Sequence, residues 1–212
     1  MNLGLSFILG FSAAAIGTSL PGLLNMTAVK VYHQDGRTRA LWFSFGAVTI
    51  IFFQTLLAVF FARFINRNAD ITNLLQEISL GIFLLLTVIF FYLGYKKKRI
   101  VPKKKEQIKL RSKSSRYFLG MLLSALNFFP IPYYVFISIT LASYQYFAFD
   151  NSSIYAFSLA TAIAAFMVFY GYLMFFDKLK TKTQGLQQNI NYIIGTVTLI
   201  IAIITLIKWL QN

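Results

Sequence analysis

Apolar residues in this chain come in long blocks: Leu3 to Val29, Leu41 to Ala62, Ile78 to Tyr95, Tyr117 to Phe149, Ile154 to Phe176 and Ile190 to Ile207. They lack the period of amphipathic elements, which would leave one polar face. A helix needs about 20 residues to cross a ~30 Å hydrocarbon layer, and each block approaches or exceeds that length. The separators are polar and mostly short. "HQDGRTR" carries the turn signal Asp35-Gly36, "NRNADITN" is rich in Asn and Asp, and only "DNSS" parts the fourth block from the fifth. The pattern predicts an all-α integral membrane protein with six transmembrane helices and leaves no room for a soluble domain.

Charge adds orientation. The chain has 212 residues, 58% of them hydrophobic, with a formal net charge of +14. Of its 20 Lys and Arg residues, seventeen lie in the connections after the first, third and fifth blocks, eleven of them between Lys96 and Arg116. Basic residues stay on the cytoplasmic side, so these connections are expected inside and both termini outside. A re-entrant fourth block would return "DNSS" to the cytoplasm without a basic residue, so one long interrupted span fits better. The N-terminal apolar stretch has no preceding Lys or Arg and reads as a retained first helix. The absence of cysteine removes thiol chemistry and thiolate metal ligands.

The longest basic run holds Lys96, Lys97, Lys98, Arg99, Lys103, Lys104 and Lys105, and reads as a topology anchor that attracts anionic lipid. Stacking aromatics are absent from it, which argues against a nucleic-acid partner. It divides the chain into a first three-helix repeat at 1–95, a basic cytoplasmic linker at 96–116 and a second repeat at 117–212. Three is odd, so the second set enters the membrane from the opposite face, as in an inverted repeat. At a constant offset of 114, "FSFGA" at Phe43 aligns with "FSLAT" at Phe157, and Gly81 to Tyr95 with Gly195 to Trp209.

Helices 1 and 4, the first of each repeat, are both interrupted: one by Pro21-Gly22, the other by Pro130 and Pro132. Proline lacks a donor and clashes with the carbonyl four residues back, which would strand the carbonyls of Gly17, Leu126 and Phe128. It also biases Leu20, Phe129 and Ile131 away from helical angles. Paired interrupted helices point to a solute site near the midplane of a transporter. The candidate binding residues are Ser19, Pro21, Gly22, Asn25, Asn127, Pro130, Pro132 and Tyr133, with Gln54 assisting from helix 2. An interhelical hydrogen bond is an equal reading of Gln54, and packing is the simpler reading of Tyr133.

No carboxylate is expected inside a span. His33 and Asp35 read as a solvated pair at the cytoplasmic end of helix 1, although His could serve a proton pathway there. A zwitterion could be held by backbone alone, its carboxylate at a half-helix N-terminus and its ammonium at stranded carbonyls.

With these residues in place, the chain resembles the lysine exporter (LysE and RhtB type) amino-acid efflux family, as a divergent member. The resemblance rests on "SLPGLLNMTAVKVYHQDGRTRALWFSFGA", with Pro21, Gly22, Gly36, Arg37, Ala40 and Gly46 matching, and on "YFLGMLLSALNFFPIPYYVFISITLA", with Gly120 and Asn127 matching. Leu23 replaces the second proline of the usual Pro-Gly-Pro, and the usual Asn-Pro is opened to Asn127-Phe128-Phe129-Pro130. It implies a secondary transporter in the bacterial inner membrane that exports amino acids or similar zwitterions by proton exchange and alternating access.

The expected partners are a small-molecule substrate and membrane lipids, and a homo-oligomer is compatible. No enzymatic role, cofactor or metal is expected, because no nucleophile, base and orienting group share one depth. An ion or metal transporter is the alternative within transport, disfavoured by missing ligands. A non-transporting assembly or lipid-interacting protein, acting through the basic run, is the alternative outside it.

Overall fold

The structure is a computed structural model that describes residues 3–68, 84, 85, 87–89, 91, 92, 95 and 112–211; in the last helix, side chains are described to 175 and at 196, 199, 200, 202, 203, 206 and 207. The third expected span is described only in part, and Lys96 to Lys105 lie outside the described residues. Among the described residues these helices follow one another, beside helical residues between 84 and 95: α1 Leu3–Ser19, α2 Leu23–Asp35, α3 Arg37–Arg67, α4 Lys113–Ala125, α5 Pro130–Ser143 and α6 Asn151–Gln211. Among the described residues there is no strand.

The spans take the form their lengths require. Arg37–Arg67 and Asn151–Phe175 are each long and apolar enough to cross a membrane. The pairs α1 with α2 and α4 with α5 pass the same test together, bent by 71° and 60° at their breaks, which brings the described candidates to as many as four. These four coincide with the first, second, fourth and fifth apolar blocks. The fifth and sixth blocks differ from expectation: the polar stretch 177–189 between them has helical backbone within α6. Its "DKLKTKTQGLQQN" has no proline, and Lys, Leu and Gln are good helix formers.

The chain forms two compact units, one of residues Met1–Arg67 and Gln107–Leu179 and one of Asn68–Glu106 and Lys180–Asn212. The first draws on both expected repeats. Its helices are inside out by soluble standards, because large side chains such as Phe53, Leu57, Phe61 and Phe64 of α3 are exposed. The buried face of α3 is instead rich in small or polar residues, among them Ala40, Ser44, Gly46, Ala47, Thr55 and Ala58, set beside Phe43, Ile51, Val59 and Ile65. Lipid is as apolar as leucine, so large side chains gain nothing by leaving it, whereas small ones let backbones approach.

Close approach is achieved reciprocally. A Cβ on Gly46 would overlap the carbonyl oxygen of Tyr117, and one on Gly120 would overlap that of Phe43, so α3 and α4 cross backbone to backbone. A Cβ on Gly10 would likewise overlap the carbonyl oxygen of Phe157, joining α1 to α6. Phe43 and Phe157 are the two residues related by the 114-residue offset, and both are fully buried. Hydroxyls tie α3 to its neighbours. Thr161 Oγ1 donates to Thr55 Oγ1 over 3.2 Å, and Thr49 Oγ1 lies 3.2 Å from the Tyr117 hydroxyl.

The connection from α5 to α6 also departs from expectation. Residues 144–150 are non-helical, and most of "DNSS" is the start of α6 rather than a loop. Helix α5 stops as the Tyr146 N–H returns to the Leu141 carbonyl and the Gln145 N–H to Ala142, with Gln145 at φ 62 where glycine is usual. Asp150 starts the next helix: its Oδ2 accepts the Ser153 N–H over 3.0 Å, and its carbonyl accepts that of Ile154. The Ser153 N–H holds the Asp150 carboxyl below its ordinary value of 3.8.

Two outcomes are expected in detergent. Gly120→Ala and Gly46→Ala should lower the thermal unfolding midpoint, at a cost of about 1–3 kcal/mol for an overpacked contact. Gly171→Ala, where a Cβ meets nothing within 4 Å, should leave it unchanged or raise it. Asp150→Ala should remove a cap worth about 1 kcal/mol. A carboxyl with a lowered folded pKa stabilises above its unfolded value. The wild-type advantage over Asp150→Ala should therefore be full above about pH 4 and vanish as pH falls through the folded pKa, in a melting series on both proteins.

Candidate functional site

Both broken helices have exposed backbone carbonyls to satisfy, and their partners define the site. At the first break, residues 20–22, Gly22 is extended at φ −108 and ψ −175 and starts α2. The Asn25 amide reaches back from the first turn of α2, donating from Nδ2 to the carbonyls of Thr18 at 2.7 Å and Leu20 at 2.9 Å. The Ser19 carbonyl between them accepts the Tyr172 hydroxyl of α6 over 2.7 Å. Pro21 and Asn25 are buried, and Ser19 is exposed.

The second break spans residues 126–129. Gln54 of α3 donates from Nε2 to the carbonyls of Ser124, at 3.1 Å, and Asn127, at 2.9 Å. It is the backbone of Asn127 that carries this contact. Expectation and structure part over the prolines: Pro130 is the first residue of α5 and Pro132 the third. At a helix start a missing N–H costs nothing, so these prolines open the second half-helix, and the break precedes them. The bias against helical angles is overridden, since Phe129 adopts φ −57, ψ −37 and Ile131 is helical. Nor is the Phe128 carbonyl stranded, because it accepts the Ile131 N–H over 3.2 Å.

Tyr133 joins the two broken helices. Its hydroxyl donates to the Ala13 carbonyl of α1 over 2.8 Å, its ring lies against Gly17, and it stacks on Phe129 at 6.0 Å between centroids. The structure thus gathers Ser19, Pro21, Gly22 and Asn25 at one break and Gln54, Asn127, Pro130 and Pro132 at the other. Tyr172 was not foreseen. It is one of 12 tyrosines in a chain that is 17% aromatic, with no local signal to single it out.

A second polar centre corrects an expectation. Asp35, read as solvated, is buried at the end of α2 and forms an ion pair with Arg116 in the first turn of α4. Their side chains are 1% and 9% exposed. Arg116, read as the last residue of a cytoplasmic linker, belongs instead to the packed helix. The reason lies in its face: Arg116, Gly120 and Ser124 recur every four residues, the buried stripe of α4. That spacing of non-apolar residues in an apolar segment was the available signal. Arg39 of α3 adds a hydrogen bond of 3.0 Å from Nη1 to the Asp35 carbonyl. His33 is exposed, as expected.

An open cleft of about 400 Å³ lies elsewhere, between the end of α3 at Asn66 and Arg67 and the loop Phe147 to Asp150. Among the described residues no three His, Cys, Asp or Glu side chains converge as metal ligands would. No family model, curated protein or solved structure matches this chain.

Asn25→Ala should leave two carbonyls without their donor and cost about 1–3 kcal/mol, as should Gln54→Leu. Hydrogen exchange should localise each loss. Amides of residues 18–26 should gain exchange in the first variant and those of residues 122–131 in the second, each with little change at the other break.

Proposed function

We propose that the chain is a secondary transporter of small zwitterionic solutes such as amino acids, working by alternating access between two inverted three-helix repeats. The reading takes six spans, odd-numbered connections and the basic run Lys96 to Lys105 in the cytoplasm, and both termini outside the bacterial inner membrane. The resemblance to the lysine exporter family belongs to the same proposal, as do efflux direction and proton exchange.

The observation that carries it is the exchange of contacts around the two breaks. Each broken helix is held by the second helix of the opposite repeat: Tyr172 reaches Ser19, and Gln54 reaches Ser124 and Asn127. The glycine crossings follow the same rule, Gly10 on Phe157 and Gly120 on Phe43. A two-fold relation between inverted repeats generates such pairs together, whereas unrelated kinks would not coincide in both lead helices. Hydrogen bonds from the opposite repeat can also be exchanged when the repeats rock, which a mechanism of alternating access needs.

Cells with the protein should accumulate less of at least one amino acid in a panel than cells without it, and proteoliposomes should exchange that solute. Pro130→Ala with Pro132→Ala should let the helix continue through residues 126–129, lowering exchange at least about tenfold while insertion is retained. Wild-type exchange in that variant would remove the breaks from the mechanism. Exchange that follows membrane potential and never a pH gradient would remove the proton.

A further inference from the structure

The Asp35–Arg116 pair takes no part in the breaks or the glycine crossings, yet it places two opposite charges in the interior. Burying such a pair is weakly stabilising at best, and apolar residues of the same volume commonly serve as well. Its hydrogen-bonding capacity is also unfilled: Asp35 Oδ1, Arg116 Nε and Arg39 Nε are all buried without a partner. The cover over it is thin. Asp35 ends α2 and Arg116 is in the first turn of α4, and their neighbours Gly36, Arg37 and Ser115 are exposed.

We propose that this pair is a binding site for an α-amino acid zwitterion, which parts the two side chains and places its ammonium on Asp35 and its carboxylate on Arg116 and Arg39. The inference rests on the transporter reading and gives it a recognition step at the end of the path expected to face the cytoplasm. Separating the pair with water, or with a solute of one charge, would leave a buried ion unmatched. A zwitterion supplies both opposite charges at once, so each protein charge exchanges one partner for another.

Geometry favours the α-amino acid. Its ammonium and carboxylate stand on a single carbon, so two side chains already in contact need separate little to take both. A guanidinium holds a carboxylate by parallel N–H donors, and Nε, now without a partner, belongs to one such edge. Arg39 supplies a second guanidinium from α3.

The test uses the full chain in lipid nanodiscs and a panel of neutral α-amino acids, each with its methyl ester and its N-acetyl derivative, in titration calorimetry. At least one amino acid should bind, with the ester and the N-acetyl form weaker by about tenfold or more, since each lacks one charge. Asp35→Asn alone leaves a buried guanidinium unmatched and should melt early. The double variant D35N/R116Q removes both charges together and should melt like wild type while losing at least about tenfold in affinity.

Unchanged affinity in the double variant, or equal binding of the derivatives by wild type, would overturn the site. Should the double variant not fold, Arg39→Gln, which leaves the ion pair in place, decides instead: unchanged affinity there would overturn the site, and a loss of about tenfold supports it. Export of a panel member at the wild-type rate by the double variant would remove the site and leave the transporter standing. A panel that neither binds nor is exported would remove both.

Discussion

The packing of the broken helices follows from the need to satisfy backbone carbonyls where an apolar helix is interrupted. In hydrocarbon no water is present to take an exposed carbonyl, so a break persists only where protein supplies the donor. The chain supplies it twice, and each time with an amide. Asn25 reaches back along its own broken helix, and Gln54 reaches across from α3. One NH₂ group has two hydrogens, and in both cases one goes to the last turn of the helix before the break and the other to a carbonyl within it. A hydroxyl could not do this alone, which is why Tyr172 serves only the single carbonyl of Ser19.

That requirement in turn governs packing. A side chain as short as glutamine reaches a neighbouring helix backbone only if the two axes lie close, and the axes of α3 and α4 are brought together at Gly46 and Gly120. The glycine crossing and the amide clasp are therefore parts of one arrangement: the first sets the separation, and the second uses it eight residues farther along α3. At the crossing points glycine lets the backbones meet, and many large residues of α3 lie on the exposed face, where a bilayer accepts them at no cost.

The sequence made the coarse outline legible because block length and proline position act locally. Four apolar blocks became described candidate spans, and the breaks fell in the first and fourth blocks, where Pro21 and Pro130 had pointed. Pro130 and Pro132 act a few residues from where a helix-interior proline would, because they stand at a helix start, where a missing N–H costs nothing. Contacts between distant segments were less legible. Asp35-Gly36 reads as an exposed turn until Arg116, 81 positions later, is seen to meet it. Gln54 gave no local sign of choosing backbone over solute, and the stretch 177–189 is polar enough to read as a loop although every residue in it tolerates a helix.

The filled and unfilled polar groups also separate two kinds of recognition. At the breaks, the carbonyls of Thr18, Ser19, Leu20, Ser124 and Asn127 already have donors, so an ammonium arriving there must displace Asn25, Tyr172 or Gln54. Backbone held this firmly leaves no carbonyl free for a solute, and under the proposed alternating access these bonds would be exchanged as a set. The ion pair differs: its charges are matched but its donors and acceptors are not, and its neighbours are exposed. A group that keeps its charge balanced while leaving hydrogen-bonding capacity open can accept a ligand carrying the same balance. In the proposed transporter, the broken helices would supply the movement and the Asp35–Arg116 pair the selectivity.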